Sequence, residues 1–244
     1  MGYPVTWFDL GAADESVLRS FYRDLFGWSV HPAGEAYAII DTMAGEGING
    51  GVGRSGTGDP WISFYVETED PGMLLKQAES MGAEVALPVT EIPALTFAMF
   101  NDPDGLLIGL MTPFREAATA RGPSAGDGPP VDWFEILGSD AERTQAFYRS
   151  LFGWTFDERS EPSYGLVDTG AGRGIAGGIG GSQGDTRWST VYARVADVEA
   201  LLTRAEQLGG TRVYGPMAVG ETMTTGALRD PVGNPFGVYQ RADP

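Results

Sequence analysis

Two carboxylates, each placed two residues after a tryptophan on a short strand-like segment, are the side chains best suited to acid–base chemistry. Asp9 follows Trp7, and Glu135 follows Trp133. Because side chains alternate between the two faces of a strand, each carboxylate shares a face with its tryptophan. Burial beside indole rings can raise the pKa of a carboxyl group toward the range useful to a general base or acid. Both carboxylates are therefore candidate catalytic groups.

Tyrosines and hydroxyls share a face with tryptophan on two further strand-like segments. A phenol can donate a hydrogen bond to a ligand carbonyl or stabilise an enolate oxygen. The indole rings supply flat apolar walls, which suit a planar and partly polar organic molecule. The alternating residues are Trp61, Ser63 and Tyr65 in one segment, and Trp188, Thr190 and Tyr192 in the other.

Two carboxylate–phenol combinations are open from the sequence. Asp9 could work with Tyr65, or Glu135 with Tyr192 and Tyr239, and we favour the second combination. A structural role is open for each of these residues too. Tryptophans on short strands are often core anchors, buried phenols are often satisfied internally, and carboxylates often bond to nearby backbone.

A repeated octapeptide shows how these segments are organised. Residues 21–28 read FYRDLFGW, and residues 147–154 read FYRSLFGW. Such self-similarity indicates a tandem duplication. We expect a first domain over residues 1–113, a linker over 114–130 that is rich in Ala, Gly, Pro and Arg, and a second domain over 131–244.

Each half carries the pattern strand–helix–strand–strand–strand twice. Asp14 is a good helix N-cap and Gly27 a good helix terminator, while Asp70 precedes a second helix. The glycine-rich residues 45–53 lack the Lys-Ser/Thr of a phosphate loop, so they are read as a short strand. The sequence predicts four βαβββ units and the α+β fold class.

Composition excludes several classes of partner. The chain has 244 residues, a formal net charge of −17, no cysteine and one histidine, His31, which we expect to be exposed in a hairpin. Binding to nucleic acid or to an anionic membrane needs clustered positive charge, so neither is expected. We find no signal peptide and no apolar run long enough to span a membrane. The absence of cysteine fits a cytoplasmic location.

The order of these motifs resembles that of the vicinal oxygen chelate superfamily, which includes glyoxalase I, bleomycin-resistance proteins and extradiol dioxygenases. The resemblance rests on Asp14, the LFGW octapeptides, the mid-domain strand and helix, and the Asp-Pro-x-Gly hairpins at residues 102–105 and 230–233. It implies two glyoxalase-like domains, each with a curved mixed sheet around a small-molecule cavity, in a monomer or a homodimer.

Metal-dependent members of that superfamily carry ligands at positions that this chain fills with other residues. A further position, on the fourth strand, lies near Asn49 or Gly50 in the first half and near Ala176 or Gly177 in the second. Indole and glycine offer no side-chain ligand to a divalent ion. We therefore expect no metal, no cofactor, and space at the two glycines. The implied positions are Trp7, Trp61 and Gly109 in the first half, and Trp133, Trp188 and Gly237 in the second.

The two predicted cavities differ along their later strands. Met111 in the first half corresponds to Tyr239 in the second, and Phe97 corresponds to Thr225. We expect the second cavity to be roomier and more polar. Asn49, Met111 and Thr225 join the candidate ligand-binding residues.

Two functions of different kinds fit these features. The first is a metal-independent tailoring enzyme of natural-product biosynthesis. It would act on an aromatic or polyketide-like molecule by cyclisation, dehydration or proton transfer, as a lyase, cyclase or isomerase and not as a metal-dependent glyoxalase or dioxygenase. The second is a protein that binds and sequesters an aromatic compound, as in antibiotic resistance. One half could also be purely structural.

Overall fold

The computed structural model describes residues 2–115, 122–157, 163–182 and 187–242. Part of the predicted linker, residues 116–121, lies outside them. The first half contains β1 (Val5–Ala12), α1 (Glu15–Phe26), β2 (Ser29–Pro32), β3 (Tyr37–Asp41), β4 (Gly50–Arg54), β5 (Trp61–Glu67), α2 (Pro71–Ser80), β6 (Glu84–Glu91), β7 (Thr96–Asn101) and β8 (Leu107–Met111). The second half contains β9 (Val131–Gly138), α3 (Ala141–Phe152), β10 (Thr155–Phe156), β11 (Tyr164–Asp168), β12 (Ala176–Gly181), β13 (Trp188–Arg194), α4 (Val198–Gln207), β14 (Thr211–Val219), β15 (Met223–Arg229) and β16 (Pro235–Arg241).

The strands form two eight-stranded mixed sheets, one from each half of the sequence. Their orders are β2-β3-β4-β1-β5-β8-β7-β6 and β10-β11-β12-β9-β13-β16-β15-β14. In the first sheet β1 pairs with β4 and β5 pairs with β8 in parallel, whereas the hairpin neighbours are antiparallel. This arrangement confirms the α+β class and the four βαβββ units.

The predicted helix ends are confirmed at α1 and recur at α3. The Asp14 carboxylate accepts a hydrogen bond from the backbone N–H of Ser16, and Gly27 ends the helix with φ +72°. Asp140 and Gly153 take the same places around α3. A left-handed C-cap favours glycine because a Cβ is disfavoured there.

Contacts between residues group the chain into two compact units, and each unit draws on both halves of the sequence. The first unit comprises residues 1–7, 63–121 and 133–189, and the second comprises 8–62, 122–132 and 190–244. The domain boundaries inferred from the repeat therefore stay a prediction, because the sheets follow the halves whereas the compact units combine them.

Within each unit, the tyrosine of the repeated octapeptide bonds to the Asp-Pro turn of the other half. Tyr148 donates to Asp102 at 2.8 Å in the first unit, and Tyr22 donates to Asp230 at 3.3 Å in the second. All four side chains are buried. Burial raises the pKa of each tyrosine, and the neighbouring carboxylate adds to the shift. The repeated motifs thus join the two halves.

The octapeptide tryptophans make a second link of the same kind. Trp154 donates from Nε1 to the carbonyl of Tyr3 at 2.9 Å, and Trp28 donates to the carbonyl of Pro129 at 3.0 Å. Both indoles are almost fully buried. Burying an aromatic side chain of this size stabilises a fold by roughly 2–3 kcal/mol, so these residues are core anchors.

Two further predictions concern His31 and membrane-spanning helices. His31 lies exposed on β2, as predicted. Among the described residues, no helix is long and apolar enough to cross a membrane.

Candidate functional site

Glu135 lies on the half-accessible face of β9 and accepts hydrogen bonds from a phenol and from an indole. Its neighbours Phe134 and Ile136 point into the core and are fully buried, whereas Glu135 is partly exposed. Tyr164 on β11 donates its phenol to Oε1 at 2.9 Å. Trp188 on β13 donates Nε1 to Oε2 at 2.9 Å. Two donors facing one carboxylate suit its ionised form and hold it in one orientation.

A glycine between the strands lets the phenol reach Glu135. Gly178 on β12 is the direct partner of Glu135 in the parallel pair β9·β12. The Tyr164 ring crosses above this glycine, and a Cβ added there would lie 2.0 Å from the phenol oxygen. Any larger residue at Gly178 would displace Tyr164, so the glycine is part of the site.

The first half contains the same arrangement in a more closed form. Tyr37 on β3 donates to Asp9 Oδ1 at 2.7 Å across Gly51, the strand partner of Asp9. A Cβ at Gly51 would lie 1.9 Å from the Tyr37 oxygen. Asp9 is only 8% exposed, so its carboxylate is less accessible than that of Glu135.

Trp61 on β5 and Trp188 on β13 are equivalent residues with different side-chain contacts. Trp61, the counterpart of Trp188, lies over Gly11, where an added Cβ would be 2.1 Å from its Nε1. Within the described part of the chain, Trp61 makes no hydrogen bond. The second half has Leu137 in place of Gly11. Because a side chain at that position would clash with a ring placed like that of Trp61, Leu137 does not permit the same placement, and the Trp188 indole bonds to Glu135.

Trp133 is the half-exposed aromatic residue beside Glu135. Its indole makes neither a hydrogen bond nor a ring contact with any residue that the structure describes. Its counterpart Trp7 is 5% exposed and packs edge-on against Phe114, with ring centroids 5.0 Å apart. Trp133 is therefore available for stacking in a way that Trp7 is not.

Other predicted site residues bond to groups in the second compact unit. The Tyr192 hydroxyl lies 3.2 Å from that of Tyr214, which lies 3.4 Å from Thr225 Oγ1. Tyr239 donates to Asp132 at 2.8 Å. Burial raises the pKa of Tyr239 and the nearby carboxylate raises it further. Burial also raises the pKa of Asp132, although the Tyr239 bond opposes that shift.

The expected space at the two glycines is a wrong prediction. A Cβ at Gly109 would lie 2.3 Å from the ring of Tyr65, and a Cβ at Gly237 would lie 2.3 Å from the ring of Tyr192. Each tyrosine is the strand partner of its glycine. The rings therefore fill the room that the glycines leave, and the glycines serve sheet packing.

Several predicted ligand contacts are structural as well. Ser63 and Thr190 are fully buried and donate to the carbonyls of Leu107 and Pro235, at 3.1 and 2.8 Å. Asn49 is buried, and its Oδ1 accepts from the backbone of Thr42. Met111 is 1% exposed. The first three side chains fasten strands and loops, and a ligand contact by any of the four residues stays a prediction.

The later strands of the second half are the more polar ones, as predicted. Tyr214 and Thr225 bring hydroxyls to β14 and β15. The first half has Leu87 and Phe97 at those places, and the Tyr65 hydroxyl meets the sulfur of Met99 at 3.6 Å. The difference in polarity therefore distinguishes the two halves beyond their shared fold.

Sequence reasoning missed Tyr164 and Tyr37, the phenols that bond to the two carboxylates. Alternation along one strand shows which residues share a face, but it does not show which strand lies beside it. One signal was present. Tyr37 and Tyr164 stand at equivalent positions of the two halves, and each half carries a glycine pair on the next strand.

Comparison with known proteins supports the fold and the resemblance. Residues 134–239 match the model of the glyoxalase-like domain family. The chain is 26% identical over 259 residues to the anthracycline biosynthesis protein DauV of Streptomyces sp. (strain C5), covering 96% of this chain and 92% of that protein.

Two solved structures share the fold over nearly the whole chain. The Mn(II)-bound glyoxalase from Novosphingobium aromaticivorans has a TM-score of 0.68 at 16% identity, covering 99% of this chain and 84% of that one. The 2,3-dioxygenase LapB from Pseudomonas sp. KL28 has a TM-score of 0.64 at 14% identity, covering 100% and 94%.

The manganese of that glyoxalase raises the question of whether this chain fits a divalent ion. Of the positions implied by the resemblance, those in the second half hold Trp133, Trp188 and Gly237, which supply no oxygen, imidazole or thiolate ligand. Across the described ranges, no three Asp, Glu or His side chains come together as a metal site. The residues present therefore do not fit such an ion.

Proposed function

We propose that this chain is a member of the vicinal oxygen chelate superfamily and a metal-independent tailoring enzyme of natural-product biosynthesis. Its substrate is an aromatic or polyketide-like molecule, and its chemistry is proton transfer. The similarity to an anthracycline biosynthesis protein supports the biosynthetic context. The proposed chemistry rests on one observation. The Glu135 carboxylate is partly exposed and accepts hydrogen bonds from the phenol of Tyr164 and the indole of Trp188.

Glu135 is the general base in this proposal. An ionised carboxylate is a base, and the phenol of Tyr164 and the indole of Trp188 hold Glu135 in a fixed orientation for taking a proton. It removes a proton from an acidic C–H or O–H of the substrate, and the electron pair stays on the substrate as an enolate or phenolate. Return of the proton at another carbon gives an isomer, and its delivery to a departing hydroxide gives dehydration.

Trp133 and the two donors position the reacting molecule. The free indole face of Trp133 is suited to stack on a flat ring beside Glu135. Tyr164 and Trp188 fix the direction in which the carboxylate oxygens point, which is the kind of orientation that a proton transfer requires. Tyr164 also carries a phenol that can donate to an enolate oxygen once the carboxylate is protonated.

Product analysis tests this function. The protein is incubated with an anthracycline aglycone, and the mixture is separated by liquid chromatography with mass detection. We expect a new species that is either an isomer of the aglycone or its dehydration product, and no such species with Glu135→Gln. Quantitative recovery of the aglycone from a mixture in which the protein binds it would contradict catalysis on this substrate class.

Binding without turnover is the second candidate. The specific observation in its favour is Trp133, whose indole stacks on nothing in the described structure. Stacking alone is enough to hold a flat ring, and the net charge of −17 attracts a cationic compound at long range. In that case the indole fluorescence is quenched on mixing, and the compound is recovered unchanged.

A further inference from the structure

Each compact unit contains an ion pair that joins the first half of the sequence to the second. In the first unit, Arg173 from the loop before β12 pairs with Glu67 at the end of β5. In the second unit, Arg194 at the end of β13 pairs with Glu46 from the loop before β4. Both pairs therefore connect a glycine-rich loop of one half with a strand end of the other.

The two pairs occupy equivalent positions but have opposite polarity. The loop before β4 reads Gly-Glu-Gly-Ile, and the loop before β12 reads Gly-Arg-Gly-Ile. Glu67 is the last residue of β5, and Arg194 is the last residue of the equivalent strand β13. The first half therefore supplies an acid at both positions, and the second half supplies a base at both.

A neighbouring side chain complements the charged residue at the end of each of these two strands. Thr6 donates its hydroxyl to Glu67 at 3.2 Å, so a donor faces the acid. At the equivalent place in the second half, Asp132 faces Arg194, with Oδ2 3.2 Å from Nε. Glu67 is only 11% exposed in its side chain, which strengthens its interaction with any charge placed beside it.

Several other contacts between the halves occur in equivalent form in both units and therefore do not distinguish one half from the other. Val5 bridges to Ile175 in the first unit, and Ile48 bridges to Val131 in the second. The two phenol–carboxylate bonds and the two tryptophan–carbonyl bonds also occur once in each unit. A half could make all of these contacts with a second copy of itself.

We propose that the two reversed ion pairs select the unlike half as the partner, so that residues 1–113 pair with residues 131–244 of the same chain. Pairing of two first halves would place Glu46 against Glu67, and pairing of two second halves would place Arg173 against Arg194. Like charges in these positions disfavour both alternatives, because repulsion is a means of rejecting the wrong partner.

Two double variants of identical composition test this selection. Glu46→Arg with Arg173→Glu makes each half complementary to itself and opposes the native pairing in both units. Glu67→Arg with Arg173→Glu reverses both members of one native pair and leaves the native pairing complementary. Each variant exchanges one acid and one base, so the net charge is unchanged. Urea unfolding and light scattering are measured for both variants and for the wild type.

We expect the first variant to unfold at lower urea than the second and to form a concentration-dependent species of twice its mass. The second variant should keep the mass and nearly the urea midpoint of the wild type. A first variant that fails to fold, and so forms no species of doubled mass, overturns the proposal. Equal behaviour of the two variants overturns the proposal, and so does a lower midpoint of the first variant without a change in mass.

Discussion

Trp188 donates its indole N–H to Glu135 Oε2 at 2.9 Å, a bond that has no counterpart between Trp61 and Asp9. The difference follows from one position on the first strand of each half. Gly11 lets the Trp61 ring lie over the backbone, a placement that the side chain of Leu137 does not permit in the second half. The second half also carries a partly exposed carboxylate held by a phenol and an indole, with the half-exposed Trp133 two residues before it. We therefore propose that the working site lies in the second half.

Removal of the phenol that orients Glu135 tests the role of Tyr164. Tyr164→Phe keeps the ring over Gly178 and deletes only the donor. Loss of one hydrogen bond to a charged group corresponds to about a ten- to hundredfold decrease in rate. The measurement is the initial rate of product formation from the aglycone. The matched control is Tyr37→Phe, which deletes the equivalent phenol at Asp9 and should leave the rate unchanged.

A second prediction concerns the glycines beneath the two phenols. A Cβ at Gly178 would lie 2.2 Å from Tyr164 Cζ, and a Cβ at Gly51 would lie 2.3 Å from Tyr37 Cζ. Either Gly→Ala change should therefore lower the free energy of unfolding by about 1–3 kcal/mol. Only Gly178→Ala should also lower turnover, because it moves a donor of Glu135. Equal turnover in the two variants would place the phenol outside the site.

The sequence was sufficient to predict the fold but not the neighbours of each side chain. The octapeptides, Asp14 and Gly27 predicted the duplication and the helix ends, because they are local signals. The accessible face shared by Trp133 and Glu135 also followed from alternation along one strand. Strand order, by contrast, depends on tertiary pairing, and no local pattern shows it.

The wrong prediction of space at two glycines and the unforeseen bonds of two hydroxyls have the same origin. Gly109 and Gly237 were expected to leave room, because glycine has no side chain. The structure pairs each glycine with a tyrosine whose ring covers it. The hydroxyls of Ser63 and Thr190 were expected to face a ligand, but carbonyls of the neighbouring strands take them. In each case the partner lies on another strand.

The free indole in the second half leads to a binding prediction. Trp133→Phe reduces the stacking surface beside Glu135, so affinity for the aglycone should fall roughly three- to tenfold, the range expected for an aromatic contact. The same change at Trp7, which already packs on Phe114, should have no effect on affinity. Quenching of the remaining indole fluorescence measures both. Equal affinities of the two variants and the wild type would argue against stacking on Trp133.

The buried carboxyl group of Asp102, in the Asp-Pro turn of the first half, predicts how stability depends on pH. Burial raises the pKa of Asp102 above its ordinary value of 3.8, while the bonds from Leu106 and Tyr148 oppose the shift. The folded state therefore binds this proton more tightly than the unfolded state. Its contribution to stability is fully present below pH 3.8 and is lost as the pH rises through the folded-state pKa.

Urea unfolding of the wild type and of Asp102→Asn isolates this effect, since the amide does not titrate. The free energy of unfolding of the wild type minus that of the variant should be larger at about pH 4 than at about pH 7, with a slope of at most ~1.4 kcal/mol per pH unit. A difference that grows toward neutral pH would show that Asp102 is stabilised as the anion.

Proton exchange into the substrate is the most direct test of Glu135 as the base. The aglycone is incubated in heavy water with the wild type, with Glu135→Gln and with Asp9→Asn, and deuterium at carbon is read by mass spectrometry and NMR. We expect exchange with the wild type and with Asp9→Asn, and a rate reduced by about a hundredfold or more with Glu135→Gln, as for the loss of a general base. Exchange that persists in Glu135→Gln and disappears in Asp9→Asn would contradict the assignment.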